Sequence, residues 1–205
     1  MKSISSIQTC TIQHTIAMYN RSMAEKRDIL IVGSGAREHA LAWKLAQSPR
    51  VGLLYIAPGN AGTGEAFINV DIPVTDIPRL AQFAAQHNIG LTVVGPDEPL
   101  SLGIVDQFKR SGLRIFGPTK AAAQIESSKV FAKKLMEEAR IPTAKYRAFT
   151  DPAQAHSYAT AAPLPMVVKA SGLAAGKGVY ICETKEAAAH AIEEAEQDHL
   201  KNETE

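Results

Sequence analysis

Asp28 to Gln47 reads DILIVGSGAREHALAWKLAQ, and this stretch decides the fold. Asp28 to Val32 is a continuous apolar run of strand length, with no polar alternation, as in a strand buried on both faces. Gly33-Ser34-Gly35 follows, and then apolar residues at helical spacing, Leu41, Ala42 and Leu45, predict a helix to about Gln47. A strand entering a helix through a glycine turn aims the backbone N–H groups of the first helical turn at the end of the strand, where an anion is favoured.

The turn is close to the G-x-G-x-x-G of dinucleotide-binding βαβ units, but it departs in two places. Glu38 stands where the third glycine belongs, and the next strand, Leu53 to Ala57, ends in Ala-Pro with no acid to hold a ribose diol. A nicotinamide-dependent oxidoreductase is therefore disfavoured. Arg37 in the first turn opposes the helix dipole. It suits a bound phosphate, or it forms a solvated surface pair with Glu38.

Downstream, the pattern repeats. The second strand runs into Pro58-Gly59-Asn60-Ala61-Gly62-Thr63. A short strand is predicted near Ile68 to Ile72, a helix over Ile77 to His87 and a buried strand over Leu91 to Val94. That strand ends in Gly95-Pro96-Asp97-Glu98. Asp97 or Glu98 could bind a hydroxyl or amine, or could serve as turn residue or helix cap. A helix over Ser101 to Ser111, stopped by Gly112, and a strand over Leu113 to Phe116 complete the unit. Strands alternating with helices predict a parallel, doubly wound sheet over about 28–126, with ligands at the carboxyl edge.

From residue 127 the organisation changes. Ser127-Ser128 predicts the cap of a helix over Val130 to Arg140, with Lys129 in its first turn, either beside an anion or as a surface lysine. A strand is predicted over Lys145 to Phe149 and a helix from Asp151-Pro152. Then comes PMVVKASGLAAGKGVYIC (165–182): an apolar strand ending in Lys169, a loop with Gly172, Gly176, Lys177 and Gly178, and an apolar strand from Val179 to Cys182. Glycines let a backbone approach a ligand closely, and successive N–H groups cradle anions. With Lys169 and Lys177 beside it, a polyphosphate is the natural guest, against the alternative of a flexible hairpin with solvated lysines. It is not the common phosphate loop, which needs G-x-x-x-x-G-K-[ST] before a helix.

Composition narrows the class. The 205 residues are 45% hydrophobic and 21% charged with a net charge of +1, an ordinary globular balance. No basic stripe suggests nucleic acid, and no apolar run approaches the ~20 residues of a membrane span. Cys10 and Cys182 have no metal spacing, and Cys182 reads as a small core hydrophobe in a reducing cytosol. Residues 1–27, whose first acid is Glu25, read as a disordered extension, a start upstream of Met23, or an acid-poor transit segment.

Taken in order, GSGAREHALAW (33–43), APGNAGT (57–63), VVGPDEPL (93–100) with IFGPT (115–119), and SSKVFAKK (127–134) with VVKASGLAAGKGV (167–179) resemble the phosphoribosylamine–glycine ligase family of ATP-grasp enzymes. The resemblance implies a pre-ATP-grasp domain over 28–126 and the first part of an ATP-grasp domain over 127–205. It implies ATP-dependent joining of glycine to 5-phosphoribosylamine, through glycyl phosphate, in purine synthesis. By resemblance, Lys129, Lys169, Gly172, Gly176, Lys177 and Gly178 lie on ATP phosphates. Gly33, Gly35, Arg37, Glu38, Gly59, Asn60, Gly62, Gly95, Pro96 and Asp97 lie on the sugar side, Asp97 standing where the family usually has glutamate. No covalent nucleophile or general base is expected. Magnesium, or manganese in its place, is expected as cofactor, with its ligands beyond residue 205. The full-length form is expected to be a cytoplasmic monomer, and the 205-residue chain alone to be inactive as a ligase. The competing expectation is a non-catalytic ligand-binding chain.

Overall fold

The computed structural model describes residues 26–170 and 178–202, with side chains described to residue 197. The chain forms two compact units that divide between Ala121 and Ala122.

The first unit is an open parallel sheet. Its strands are β1 (Arg27–Gly33), β2 (Val51–Pro58), β3 (Ile68–Asn69), β4 (Leu91–Val94) and β5 (Ile115–Phe116), in the order β3-β2-β1-β4-β5. Both neighbours of β1 pair parallel to it, Ile31 opposite Ile56 on one side and Val93 on the other. The chain thus winds outward from β1 through β2 and β3, then returns beside β1 as β4, which makes the sheet doubly wound. The helices are α1 (Ala36–Ala46), the single turn α2 (Ala61–Gly64), α3 (Ile77–Gln86), α4 (Asp97–Leu102) and α5 (Ile104–Arg110).

The apolar run of β1 is buried on both sides, as its lack of alternation requires. Ile29 and Ile31 join Ala42, Leu54, Ile56 and Val93 in one core cluster. Leu30 and Val32 point to the opposite face and are fully buried. Leu80, Ile104, Val105 and Phe108, on α3 and α5, are fully buried as well. α3 starts at an Asp76 cap whose carboxylate accepts from Arg79 N (3.2 Å), with Pro78 in the first turn, where its missing N–H costs nothing.

Three local expectations need correction here. The strand expected over Ile68 to Ile72 is only Ile68–Asn69: Val70 N still reaches Ile56 O, but Ile72 N turns back to Val70 O. The helix expected over Ser101 to Ser111 begins at Asp97 and is broken into α4 and α5 by Gly103, whose φ of 94° is left-handed and ends a helix. The strand expected over Leu113 to Phe116 is only Ile115–Phe116, and a helix for which no element was expected, α6 (Lys120–Ser127), follows it.

The second unit contains α7 (Lys129–Glu138), α8 (Pro152–Ala161), β6 (Met166–Lys169), β7 (Val179–Cys182) and α9 (Lys185–Asn202). Ser128 caps α7, its hydroxyl accepting from Phe131 N at 3.2 Å. β6 and β7 form an antiparallel hairpin, with Lys169 opposite Val179. One face of it, Met166, Val168, Tyr180 and Cys182, packs with Ala159, Ala188, Ala191 and Ile192 of α8 and α9. The strand expected over Lys145 to Phe149 does not form. The hairpin strands pair only with each other among the described residues, so this segment has no ladder to join. It is instead tethered near its start by Lys133 Nζ, which donates to Thr143 Oγ1 (2.6 Å) and Ala144 O (3.0 Å).

Candidate functional site

The carboxyl ends of β2, β1 and β4 lie side by side, so their loops are neighbours. The switch point between β1 and β4 is where open α/β sheets leave a crevice. The ladder runs on past the strands. Gly59 N donates to Gly33 O (3.2 Å), and Gly95 N donates to Val32 O (3.0 Å). The structure therefore brings the 33–38 turn, the 59–62 loop and Gly95 to one edge.

Glu38 sits at the centre of that edge. It is 3% exposed. Its Oε2 accepts from Gly35 N at 2.7 Å and its Oε1 from Arg37 Nε at 2.9 Å. Glutamate at the third helical position reaching back to the N-cap amide is half of a capping box. The surrounding glycines make room for it. A Cβ on Gly33 would lie 2.5 Å from Glu38 Cγ, a Cβ on Gly35 would lie 3.0 Å from Oε2, and a Cβ on Gly95 would overlap Oε1. Gly33 also has a φ of 135°, open to glycine and strained for other residues. The residue that replaces the third glycine thus places the chain's own carboxylate at the helix N-terminus, on an amide that a dinucleotide pyrophosphate would otherwise use. Of the two readings of Arg37, the pair with Glu38 forms, but it is solvated on one side only: the Arg37 side chain is 58% exposed and that of Glu38 4%.

Asn60 joins two of the loops. Its Nδ2 donates to Ser34 O (2.7 Å), and its Oδ1 accepts from Thr63 N (2.9 Å), capping α2. Thr63, fully buried, accepts from Asn60 N through Oγ1 (2.8 Å) and lies 2.8 Å from Asn69 Oδ1, while Asn69 Nδ2 donates to Asn60 O at 2.7 Å. Gly62 abuts His39: a Cβ there would stand 3.1 Å from the imidazole. Thr63, Asn69 and His39 were not read from the sequence as part of the site. The signal for Thr63 was present, since N-x-x-T before a helical turn is a capping pattern. Asn69 comes from β3, and only pairing could reveal it.

Pro96 is the N-cap of α4 and Asp97 its first residue, exposed beside Glu98. In the second unit, Lys129 opens α7 and Lys169 ends β6, exposed on the face of the hairpin that also shows Val167 (53%), Val179 (49%) and Ile181 (75%). Gly178 has a φ of 68° where β7 begins. Gly172, Gly176 and Lys177 lie outside the described residues. A cleft of about 450 Å³ between Ala46, Gly52 to Leu54 and Glu65 to Ile68 contains none of the expected site residues. Among the described residues no cluster of three or more His, Cys, Asp or Glu could hold a metal ion, and no helix is long and apolar enough to cross a membrane.

A doubly wound parallel sheet, followed in the chain by an antiparallel hairpin backed by helices, is the architecture of an ATP-grasp enzyme's first half. Comparison with known proteins narrows it. The phosphoribosylglycinamide synthetase N-domain profile matches residues 27–126, and that family's ATP-grasp (A) domain profile matches 127–204. The phosphoribosylamine–glycine ligase of Ralstonia nicotianae is 55% identical over 165 residues, 80% of this chain and 39% of that protein. The crystal structure of the Thermotoga maritima phosphoribosylamine–glycine ligase superposes with a TM-score of 0.64 at 31% identity, covering 80% of this chain and 38% of that one. The biotin carboxylase domain of Hydrogenobacter thermophilus 2-oxoglutarate carboxylase, solved with MgADP, superposes with a TM-score of 0.67 at 16% identity over 85% of this chain and 41% of that one, a likeness of fold. The chain belongs to the phosphoribosylamine–glycine ligase family. It spans about 39% of the length of the relatives it matches.

Proposed function

We propose that this chain supplies the sugar-phosphate edge and the ATP-phosphate hairpin of a cytosolic ligase that joins glycine to 5-phosphoribosylamine. The observation that carries the reading is the meeting of the 33–38, 59–62 and 95–97 segments at the carboxyl edge of three adjacent strands, in a chain of this family. Gly33, Gly35 and Gly95 make room for Glu38, and Gly59 and Gly62 for Asn69 and His39; Asn60 and Pro96 fix the flanking turns, Arg37 offers a cation to the phosphate, and Asp97 offers a carboxylate to the sugar or amine. Lys129, Lys169 and Gly178, with Gly172, Gly176 and Lys177, take the ATP phosphates. The exposed Val167, Val179 and Ile181 give Lys169 an apolar surround suited to a nucleotide.

In the reaction, a glycine carboxylate oxygen attacks the γ-phosphorus of ATP, and ADP leaves. The amine of phosphoribosylamine then attacks the carbonyl carbon of glycyl phosphate, the C–O bond to phosphate breaks, and the nitrogen loses a proton. The protein's work is positioning and charge neutralisation. Bound magnesium would supply charge neutralisation on the ATP phosphates; among the described residues no cluster of three or more His, Cys, Asp or Glu could hold it.

The test is glycine-dependent release of ADP and phosphate from Mg-ATP and phosphoribosylamine. Protein captured from its source with an antibody to this chain should show it, and the purified 205-residue chain should not. No turnover by the captured protein would overturn the reading. Turnover by the purified chain would show that these residues hold a whole ligase site.

A further inference from the structure

The family resemblance implies that Glu38 lies among the residues that meet substrate, but its geometry assigns a different task. We infer that Glu38 is a positioning residue: it touches no ligand and sets the guanidinium of Arg37. The inference rests on the proposed phosphoribosyl reading of this edge. Three observations carry it. Glu38 is buried at 3% exposure. Both its oxygens are taken by protein donors, Gly35 N and Arg37 Nε. Gly33, Gly35 and Gly95 close around its side chain so tightly that a methyl on any of them would crowd or overlap it.

The consequence falls on Arg37. A guanidinium has five N–H donors in a fixed fork. Glu38 takes the Nε–H, which fixes the plane of the group. Nη1 and Nη2 have no partner among the described residues, and the side chain is 58% exposed. A planar pair of terminal nitrogens is the arrangement that binds phosphate through two parallel hydrogen bonds. An unsupported arginine would have to freeze its rotamers on binding, whereas this one is held in place by a carboxylate that is itself locked to the backbone. The same buried carboxylate occupies the Gly35 amide, so that amide is not offered to a phosphate while the terminal nitrogens of Arg37 are.

Ribose 5-phosphate, a stable compound with the substrate's phosphate and sugar, is the probe. Its affinity for the 205-residue chain is measured by calorimetry for the wild type, Arg37→Ala, Arg37→Lys, Glu38→Gln and the Arg37→Ala/Glu38→Gln pair. Arg37→Ala should weaken binding about tenfold, the scale of a charge-assisted hydrogen bond. Glu38→Gln should weaken it comparably, since its amide NH₂ would face one of the two donors. The double variant should bind no worse than Arg37→Ala alone, because Glu38 acts only through Arg37. Arg37→Lys keeps the charge but loses the Nε anchor, and should bind like Arg37→Ala. It decides the matter even if Glu38→Gln does not fold. Full affinity in Arg37→Lys, full affinity in Glu38→Gln, or losses that multiply in the double variant would each overturn the inference while leaving the sugar-phosphate reading in place. A wild-type chain that does not bind ribose 5-phosphate overturns both.

Discussion

Single residues at the strand ends are coupled more tightly than their separation in sequence suggests. Gly95 lies far along the chain from Glu38, yet it has no side chain because Glu38 fills that space. Gly95→Ala should lower stability by about 1–3 kcal/mol through overpacking. Combining it with Glu38→Ala should recover part of that loss, a non-additivity readable in urea denaturation. Asn60→Ala removes both the α2 cap and the bond to Ser34 O, and should cost about 1–2 kcal/mol in the same assay. At this scale the sequence was half legible. The glycines, Arg37 and Asn60 could be placed at the carboxyl ends of the strands because turn chemistry is local. The burial of Glu38 was not visible, since it depends on Gly95 arriving from β4, and a pair of adjacent charged residues reads as surface. Asn69 was hidden for the same reason.

Among the elements, local signals and pairing parted ways. The glycine-loop hairpin was readable because both its strands are in one short stretch and pair with each other. The segment from Lys145 to Phe149 alternates as a strand does, but a strand needs a partner and none adjoins it among the described residues. Gly103 lies inside an apolar helical pattern, yet glycine there is a stop signal: its φ of 94° ends α4, and α5 begins from the same residue. Gly103→Ala should therefore destabilise by about 1 kcal/mol or more in thermal or urea melts, unlike an exposed glycine of a regular helix, where alanine stabilises. In the hairpin, Lys169→Ala should weaken binding of a non-hydrolysable ATP analogue about tenfold while leaving the melting temperature within experimental scatter. The side chain is exposed, so its removal costs the fold little.

For the molecule as a whole, the parallel sheet was the most legible feature, because an apolar run such as Ile29 to Val32 satisfies only a strand covered on both faces. The stability of the first unit should accordingly be spread over two cores. Phe108→Ala, on α5 and fully buried, should cost about 3–5 kcal/mol and shift the urea midpoint without touching any residue of the ligand edge. What was not legible was how continuous that edge is with the sheet. The amides of Gly59 and Gly95 do not end in loops: they donate to Gly33 O and Val32 O, as further rungs of the β1 ladder. Their protons can meet solvent only when the end of β1 opens, so in hydrogen–deuterium exchange they should be as slow as those of the central strand, already without ligand. Ligand should then add little protection there. That is the signature of an edge built before its guest arrives, one that selects by shape from the outset instead of closing around whatever first binds.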